Sequence, residues 1–414
     1  MTVFWSRVAA SESWLGDNPL YRIMTKFVSI IILTEVPLSR RDYERFGIEI
    51  LSRHFFVRVL DCTAWINPSF WGENATIGYE CPERLKITAW DELEGQLTRL
   101  SGQYIVIDYL GDCSTALYVR QYLKKKRVLR VLVRCGLIPE PNSLERIRRA
   151  SRQGSFVMRG IRKVLRDGLS LIRPKLPQAD MAVVAGEAAL RDRRVQKAEH
   201  IWVHSFDFDV YLRCRGKGKE TDVPYAVFLD SDLAFHADFE LGGENPMVTA
   251  ERYYPAINHF FDRFELLTGL KVVIAAHPRS RYDLRPDLYG HRIPVLHKTC
   301  ELVKDASLVM TTQSTAISLA VMCNKPILYL NTDEHENCDY IGYMYEAASA
   351  LKSNIINIDH FSDAELNLVD LMEVSDDAYR YYMNTYIKHP GTPDAPIWEI
   401  FSAYIQRKFC VPSD

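Results

Sequence analysis

The 414-residue chain has no Gly-x-x-x-x-Gly-Lys-Ser/Thr loop and no Gly-x-Gly-x-x-Gly after an expected strand. These absences argue against a P-loop nucleotide hydrolase and a standard dinucleotide enzyme. No Gly-x-Ser-x-Gly elbow occurs, which argues against a Ser-triad hydrolase. The nine cysteines are scattered and include no Cys-x-x-Cys, so neither a disulfide framework nor a zinc site is expected. They read as reduced, structural thiols of a cytoplasmic protein. The apolar run Phe27–Leu33 is far shorter than the roughly 20 residues of a membrane span. With no signal peptide or stop-transfer segment read from the sequence, any membrane contact is expected to be peripheral. Internal repeats and low-complexity tracts are absent as well.

What is present suits a soluble globular chain of two domains, with 47% hydrophobic residues to supply two cores. A formal net charge of −2 argues against a nucleic-acid partner. That balance hides an asymmetry. Ten Lys/Arg and two acids between Leu144 and Lys175 give this segment +8 and leave −10 for the rest. Val157, Ile161, Val164, Leu165 and Ile172 recur there at near-helical spacing. The pattern fits either a basic amphipathic helix on an anionic lipid surface or a solvated helix packed on its own domain.

Strand-like runs at Val28–Leu33, Phe55–Leu60, Tyr104–Asp108, Val128–Val133, Met181–Val184 and His200–Val203 alternate with helical patterns such as Tyr43–Arg53 and Thr115–Lys125. After a polar break at Cys214–Asp222 the alternation resumes with Pro224–Leu229, Lys271–Ala276, Ala306–Thr312 and Pro326–Leu330. Met247–Leu267 reads as a helix interrupted near Pro255, and Ile397–Lys408 as a last helix. The expected fold class is α/β, with two Rossmann-like doubly wound domains facing across a cleft. Their expected bounds are 1–213, a linker at 214–222, 223–390, and a C-terminal helix within 391–414.

Ligands of such sheets lie at the carboxyl ends of the strands. One expected strand there runs into His277-Pro278-Arg279, another into Thr311-Thr312-Gln313-Ser314-Thr315. A histidine donates to phosphate oxygens, and hydroxyls with amides at a helix start suit an anion. Capping and carbonyl pairing are the plain alternatives. Asp108 and Asp112, around the flexible Gly111, are candidates for a base on the first domain's rim, with Asp209 and Asp232 in reserve. Asp207-x-Asp209 and Asp230-Ser-Asp232 are spaced to hold a divalent metal, or serve as turn formers.

The His-Pro motif at 277–278 with Ser314-Thr315 downstream resembles bacterial glycosyltransferases of the GT-B fold, in their sialyl-, polysialyl- and Kdo-transferase-like branches. Phe206–Leu212, Tyr225–Asp230, Tyr253-Tyr254 and Ile274–Tyr282 are similar to surface-carbohydrate biosynthesis proteins of capsule and O-antigen pathways. The resemblance covers roughly 201–330. It implies that His277, Ser314 and Thr315 bind donor phosphate, that Pro278 shapes the turn, and that Arg279 and Thr312 stand beside them. Glu334 would hold the donor's ribose or sugar. No match to the acidic-acidic-Gly base signature is seen. The implied activity is inverting transfer of a sugar, a CMP-linked nonulosonate or Kdo-like one in these branches, onto a surface glycan or lipid-linked acceptor, without a required metal or other cofactor. Alternatives on the same fold are a nucleotide-sugar 2-epimerase, a polyol-phosphate transferase, or an inactive binding subunit of a polysaccharide assembly complex.

Overall fold

A computed structural model of the chain describes residues 28–68, 78–100, 104–141, 177–219, 221–236, 246–338 and 340–409. The basic segment 144–175 lies outside them. The first sheet comprises β1 (Ser29–Thr34), β2 (Phe56–Asp61), β3 (Arg84–Lys86), β4 (Tyr104–Tyr109), β5 (Leu129–Arg134), β6 (Met181–Ala185) and β7 (Glu199–Val203). Its order is β3-β2-β1-β4-β5-β6-β7, all parallel. The second sheet comprises β8 (Tyr225–Leu229), β9 (Lys271–Ala275), β10 (Leu308–Thr311), β11 (Ile327–Asn331) and β12 (Asn354–Asn357). Its order is β12-β11-β10-β8-β9, again parallel. The strand order reverses between β1 and β4 in one sheet and between β8 and β10 in the other. Those two reversals open the crevices in which ligands of doubly wound folds sit.

The continuous apolar runs follow from burial on both faces. Ile30 and Ile32 enter one core while Ile31 and Leu33 enter the core on the opposite face. Val227 and Leu229 likewise oppose Ala226 and Phe228. The two strands that the sequence pattern misses, β3 and β12, are short edge strands reading Arg-Leu-Lys and Asn-Ile-Ile-Asn.

Two helical expectations are corrected. The pattern at Tyr43–Arg53 is broken by Gly47, at φ 61°, into Arg40–Arg45 and Ile48–Ser52. The Trp398 ring fills the space where a Cβ at Gly47 would stand, so both the turn and the packing require glycine. Ala250–Thr268 is one helix with Pro255 inside it. The proline lies in the second turn and removes one backbone bond, while Tyr253, Tyr254, Ile257, Phe260, Phe261 and Phe264 are all buried and hold the helix to its core.

The expected domain boundary also moves. The chain crosses at Ser205, whose N–H donates to the Ile387 carbonyl at 2.7 Å. The helix Phe206–Cys214 already belongs to the second domain, with Phe208 and Cys214 in its core. The last helix, Ile397–Phe409, returns to the first domain, where Ile397, Trp398, Phe401 and Ile405 are buried beside β1 and β4 residues. Such double crossing is decided by packing, which a polar break in the sequence does not report. Among the described residues no helix is long and apolar enough to cross a membrane.

Candidate functional site

At the carboxyl ends of β8 and β9 a buried carboxylate braces the His-Pro turn. Asp230 accepts from the Tyr282 hydroxyl at 2.5 Å, the Tyr289 hydroxyl at 2.9 Å, the Asp232 amide at 2.8 Å and the His277 amide at 3.4 Å. Burial pushes its pKa up, opposed by these donors. Asp230 therefore positions the backbone of His277. The Arg279 amide donates to His277 Nδ1 at 3.4 Å, so a neutral His277 ring carries its proton on Nε2. The His236 ring packs against that of His277, with centroids 4.8 Å apart, and Arg279 Nη2 lies 3.4 Å from His236 Nε2. Pro278 and Arg279 are exposed on this turn.

The neighbouring rim carries the hydroxyls. The Ser314 amide donates to Thr311 Oγ1 at 3.2 Å, and the Ser314 hydroxyl accepts from the Ala316 amide at 3.2 Å. The following helix is short, Ile317–Met322, so Ser314 and Thr315 belong to a turn before it rather than to its first turn. Gln313 Oε1 faces His335 Nε2 at 3.1 Å, tying the β10 loop to the β11 loop. Three side-chain atoms on this rim are buried without a hydrogen-bond partner among the described residues: Ser231 Oγ, Asn331 Oδ1 and His335 Nδ1. Such atoms can take further polar contacts, and others of the kind occur elsewhere in both domains.

Glu334 does not fit the role implied by the resemblance. Its carboxylate accepts from the Thr249 amide at 2.9 Å, the Thr249 hydroxyl at 2.9 Å and Arg252 Nη1 at 3.3 Å. It thereby caps the helix Ala250–Thr268, which a carboxylate at a helix start stabilises.

Burial lowers the pKa of neighbouring His335 to about 4. The unfolded chain, near the ordinary value of about 6.5, then binds more protons between these limits. Stability contributed by neutral His335 is complete above the unfolded pKa. It is lost as pH falls toward 4, by roughly 3 kcal/mol in all. Denaturant titrations at pH 7 and pH 4.5 should show a smaller loss in His335→Gln than in wild type; equal losses would contradict this.

On the first domain, Asp108 is corrected as a base. Its side chain is 0% exposed and accepts from Arg120 Nε and Arg130 Nη1, each at 2.8 Å. The carboxylate is a buried counter-ion with no face open to substrate. Asp112 is half exposed, but its Oδ1 is shared between Arg120 at 3.5 Å and Arg194 at 3.2 Å. It must give up an ion pair to take a proton. Arg194 in turn holds Asp192, as does Arg134. Burial opposes the Asp192 charge, yet these arginines hold its pKa well below the ordinary range.

Glu35, which sequence reasoning passed over, follows β1 at the β1/β4 reversal. Its Oε1 lies 2.3 Å from where a Cβ at Gly111 would stand, so the β4 loop passes directly under the carboxylate. Among the described residues Glu35 has neither a side-chain hydrogen bond nor an ion pair. The available signal was an acid immediately after a doubly buried strand.

The reserve acids have other partners. Asp209 accepts from the Ile397 amide at 3.2 Å, capping the last helix, and lies 3.6 Å from His204 Nε2. Asp232 is buried in a left-handed turn, φ 51°, beside Asp230. Asp207 accepts from the Ser318 hydroxyl. The paired acids of Asp207-x-Asp209 are thus held apart by different partners. Among the described residues no group of three or more His, Cys, Asp or Glu is arranged to hold a metal ion.

On the helix Arg40–Arg45, Arg41 is in electrostatic range of Arg45, Asp42, Arg279 and Asp207, and Asp207 is in range of both arginines. Although Arg41 is exposed as a residue, protein around its guanidinium lowers its pKa, with the like charge of Arg45 second. Two surface pockets, one beside Tyr225, Lys271 and Glu301 and one beside Val28, Tyr104 and Phe409, lie at the opposite ends of the strands. They are remote from both rims.

No protein-family model matches the chain, and no curated protein matches it in sequence. Similar solved structures include the glycotransferase of kitacinnamycin, at 11% identity over 92% of this chain and 99% of that one, with a TM-score of 0.49. MurG of Acinetobacter baumannii is similar at 10% identity, 92% and 99% coverage and a TM-score of 0.46. A UDP-N-acetylglucosamine 2-epimerase from Rickettsia bellii is similar at 12% identity, 92% and 98% coverage and a TM-score of 0.44.

Proposed function

We propose that this chain is a glycosyltransferase of the GT-B type. In this reading the second domain holds the phosphate of a nucleotide-linked sugar between His277 and the Thr312-Gln313-Ser314-Thr315 turn. The observation that carries it is the set of three partnerless buried polar atoms, Ser231 Oγ, Asn331 Oδ1 and His335 Nδ1, at the carboxyl ends of β8 and β11, beside a histidine braced by Asp230. A nucleotide offers the acceptors and donors these atoms need. The first domain presents the acceptor hydroxyl to Glu35, with Asp112 on the adjoining loop, and attack from that side inverts the anomeric carbon. The acceptor is a surface glycan or a lipid-linked one, and the +8 segment between Leu144 and Lys175 would hold the enzyme near anionic lipid.

His277→Ala and the pair Ser314→Ala/Thr315→Ala should weaken nucleotide binding without unfolding the protein. Loss of a charge-assisted hydrogen bond corresponds to roughly 10- to 100-fold in affinity. Calorimetric titration with CMP, CDP, UDP and GDP reads this directly. Unchanged affinity in both variants would remove the donor site from this rim. Isomerised sugar nucleotide from donor alone, with no acceptor present, would identify an epimerase instead.

A further inference from the structure

The chain passes between the domains twice, and a buried histidine lies where the two crossings touch. On the outward crossing, His204 follows β7 directly and is 0% exposed. The return crossing runs from Ile387 to Ile397, the first residue of the last helix. His204 pairs with Lys388 in an antiparallel bridge, and the Ser205 N–H donates to the Ile387 carbonyl at 2.7 Å. These backbone contacts set the crossings side by side. The imidazole joins them a second time. Its Nε2 lies 2.6 Å from the Ala395 carbonyl oxygen on the return crossing. Its Nδ1 lies 3.1 Å from the Ser205 carbonyl oxygen on its own crossing.

Both partners are acceptors only. A neutral imidazole carries one N–H, so in either tautomer one nitrogen turns a lone pair toward a carbonyl oxygen, whereas the imidazolium donates to both. The surrounding groups suit the imidazolium. Asp209 Oδ1 lies 3.6 Å from Nε2 and accepts from the Ile397 amide at 3.2 Å. Burial pushes the Asp209 carboxyl up, while His204, that amide and Arg213 pull it back. The like charge of Lys388 stands 4.9 Å from the Phe208 ring, whose centroid is 4.5 Å from that of the imidazole. Lys388 is paired with Asp394, which also holds Arg215. Cys135, after β5 and in electrostatic range of Asp209, is kept a neutral thiol by burial. Arg45 lies over Phe206, and His389 stacks on Trp202 with centroids 4.1 Å apart.

We propose that His204 is a protonation-dependent clasp on the domain hinge, tying the two crossings together as the imidazolium and loosening them as the neutral ring. Relative movement of the domains has to be absorbed where the chain passes between them, at a few residues on element ends. A bond between the crossings stiffens that point, and its loss frees it. The clasp is complete where the ring is protonated and is lost as pH rises through the ring's titration. It is independent of what the cleft binds.

Nitrogen NMR of the full chain, labelled at histidine and followed from about pH 5.5 to about pH 9, reads whether each ring nitrogen carries a proton. The signals missing in His204→Gln are those of His204. Hydrogen exchange over the same range follows residues 203–210 and 385–397, as protection relative to the unstructured rate. Both ring nitrogens should be protonated at the acid end. Protection of both segments should then fall together, by roughly 10- to 100-fold, as the ring titrates. In His204→Gln the protection should no longer follow pH. Asp209→Asn keeps an acceptor for the Ile397 amide and removes the counter-charge, so release should come at lower pH. Should His204→Gln not fold, the signal that Asp209→Asn displaces identifies the ring. A ring that keeps one bare nitrogen throughout, or both protons throughout, overturns the clasp. So does protection that stays constant across the ring's titration, or that follows pH in His204→Gln as it does in wild type.

Discussion

Replacing Glu35 by Gln is expected to lower turnover by about 10²- to 10⁴-fold, the usual contribution of a general base, while leaving donor affinity nearly intact. Glu35 follows the first strand at the sheet's reversal, beside Gly111, and has no ion pair among the described residues that must break before it accepts a proton. Gln keeps the shape and removes only that capacity. Asp112→Asn is expected to cost far less, because Arg120 and Arg194 already share its Oδ1. Steady-state rates at saturating donor and acceptor distinguish the two acids. Turnover within tenfold of wild type in Glu35→Gln would reject it as the base, and a large loss in Asp112→Asn would transfer the role there.

Asp108→Ala should act on stability. The substitution leaves Arg120 and Arg130 buried without their shared carboxylate, and breaking a buried ion pair on one side costs about 3–5 kcal/mol. For a domain of this size that corresponds to a fall in Tm of roughly 6–20 °C. Replacing both arginines as well, by Met or Leu of similar volume, should recover much of the loss, because the uncompensated charges go with them. A catalytic acid would behave differently, with turnover lost at an unchanged Tm. That result would contradict the structural assignment.

Much of the fold was legible in the residues. Strands buried on both faces must be apolar at every position, so β1, β4, β6 and β8 stand out as runs of Ile, Val, Leu and Ala. Alternation of such runs with helical patterns leaves few topologies apart from two parallel sheets. The loops after β8, β9 and β10 were legible too, since function in these sheets collects where strands end. His277 and Ser314 do stand on that rim.

What the sequence could not express is which polar groups have already found each other. Asp108 and Asp112 look equivalent along the chain, yet one is sealed between two arginines and the other is half exposed. Glu334 is a loop acid by sequence and a helix cap in space, because Thr249 lies 85 residues away in the chain and 2.9 Å away in the fold. Arg41 and Arg279 come into electrostatic range only in the fold. Apolar burial is a property of each segment and leaves its period in the sequence. Ion pairing and capping are properties of proximity between distant segments, so the tertiary structure alone decided which charges are paired inside the fold.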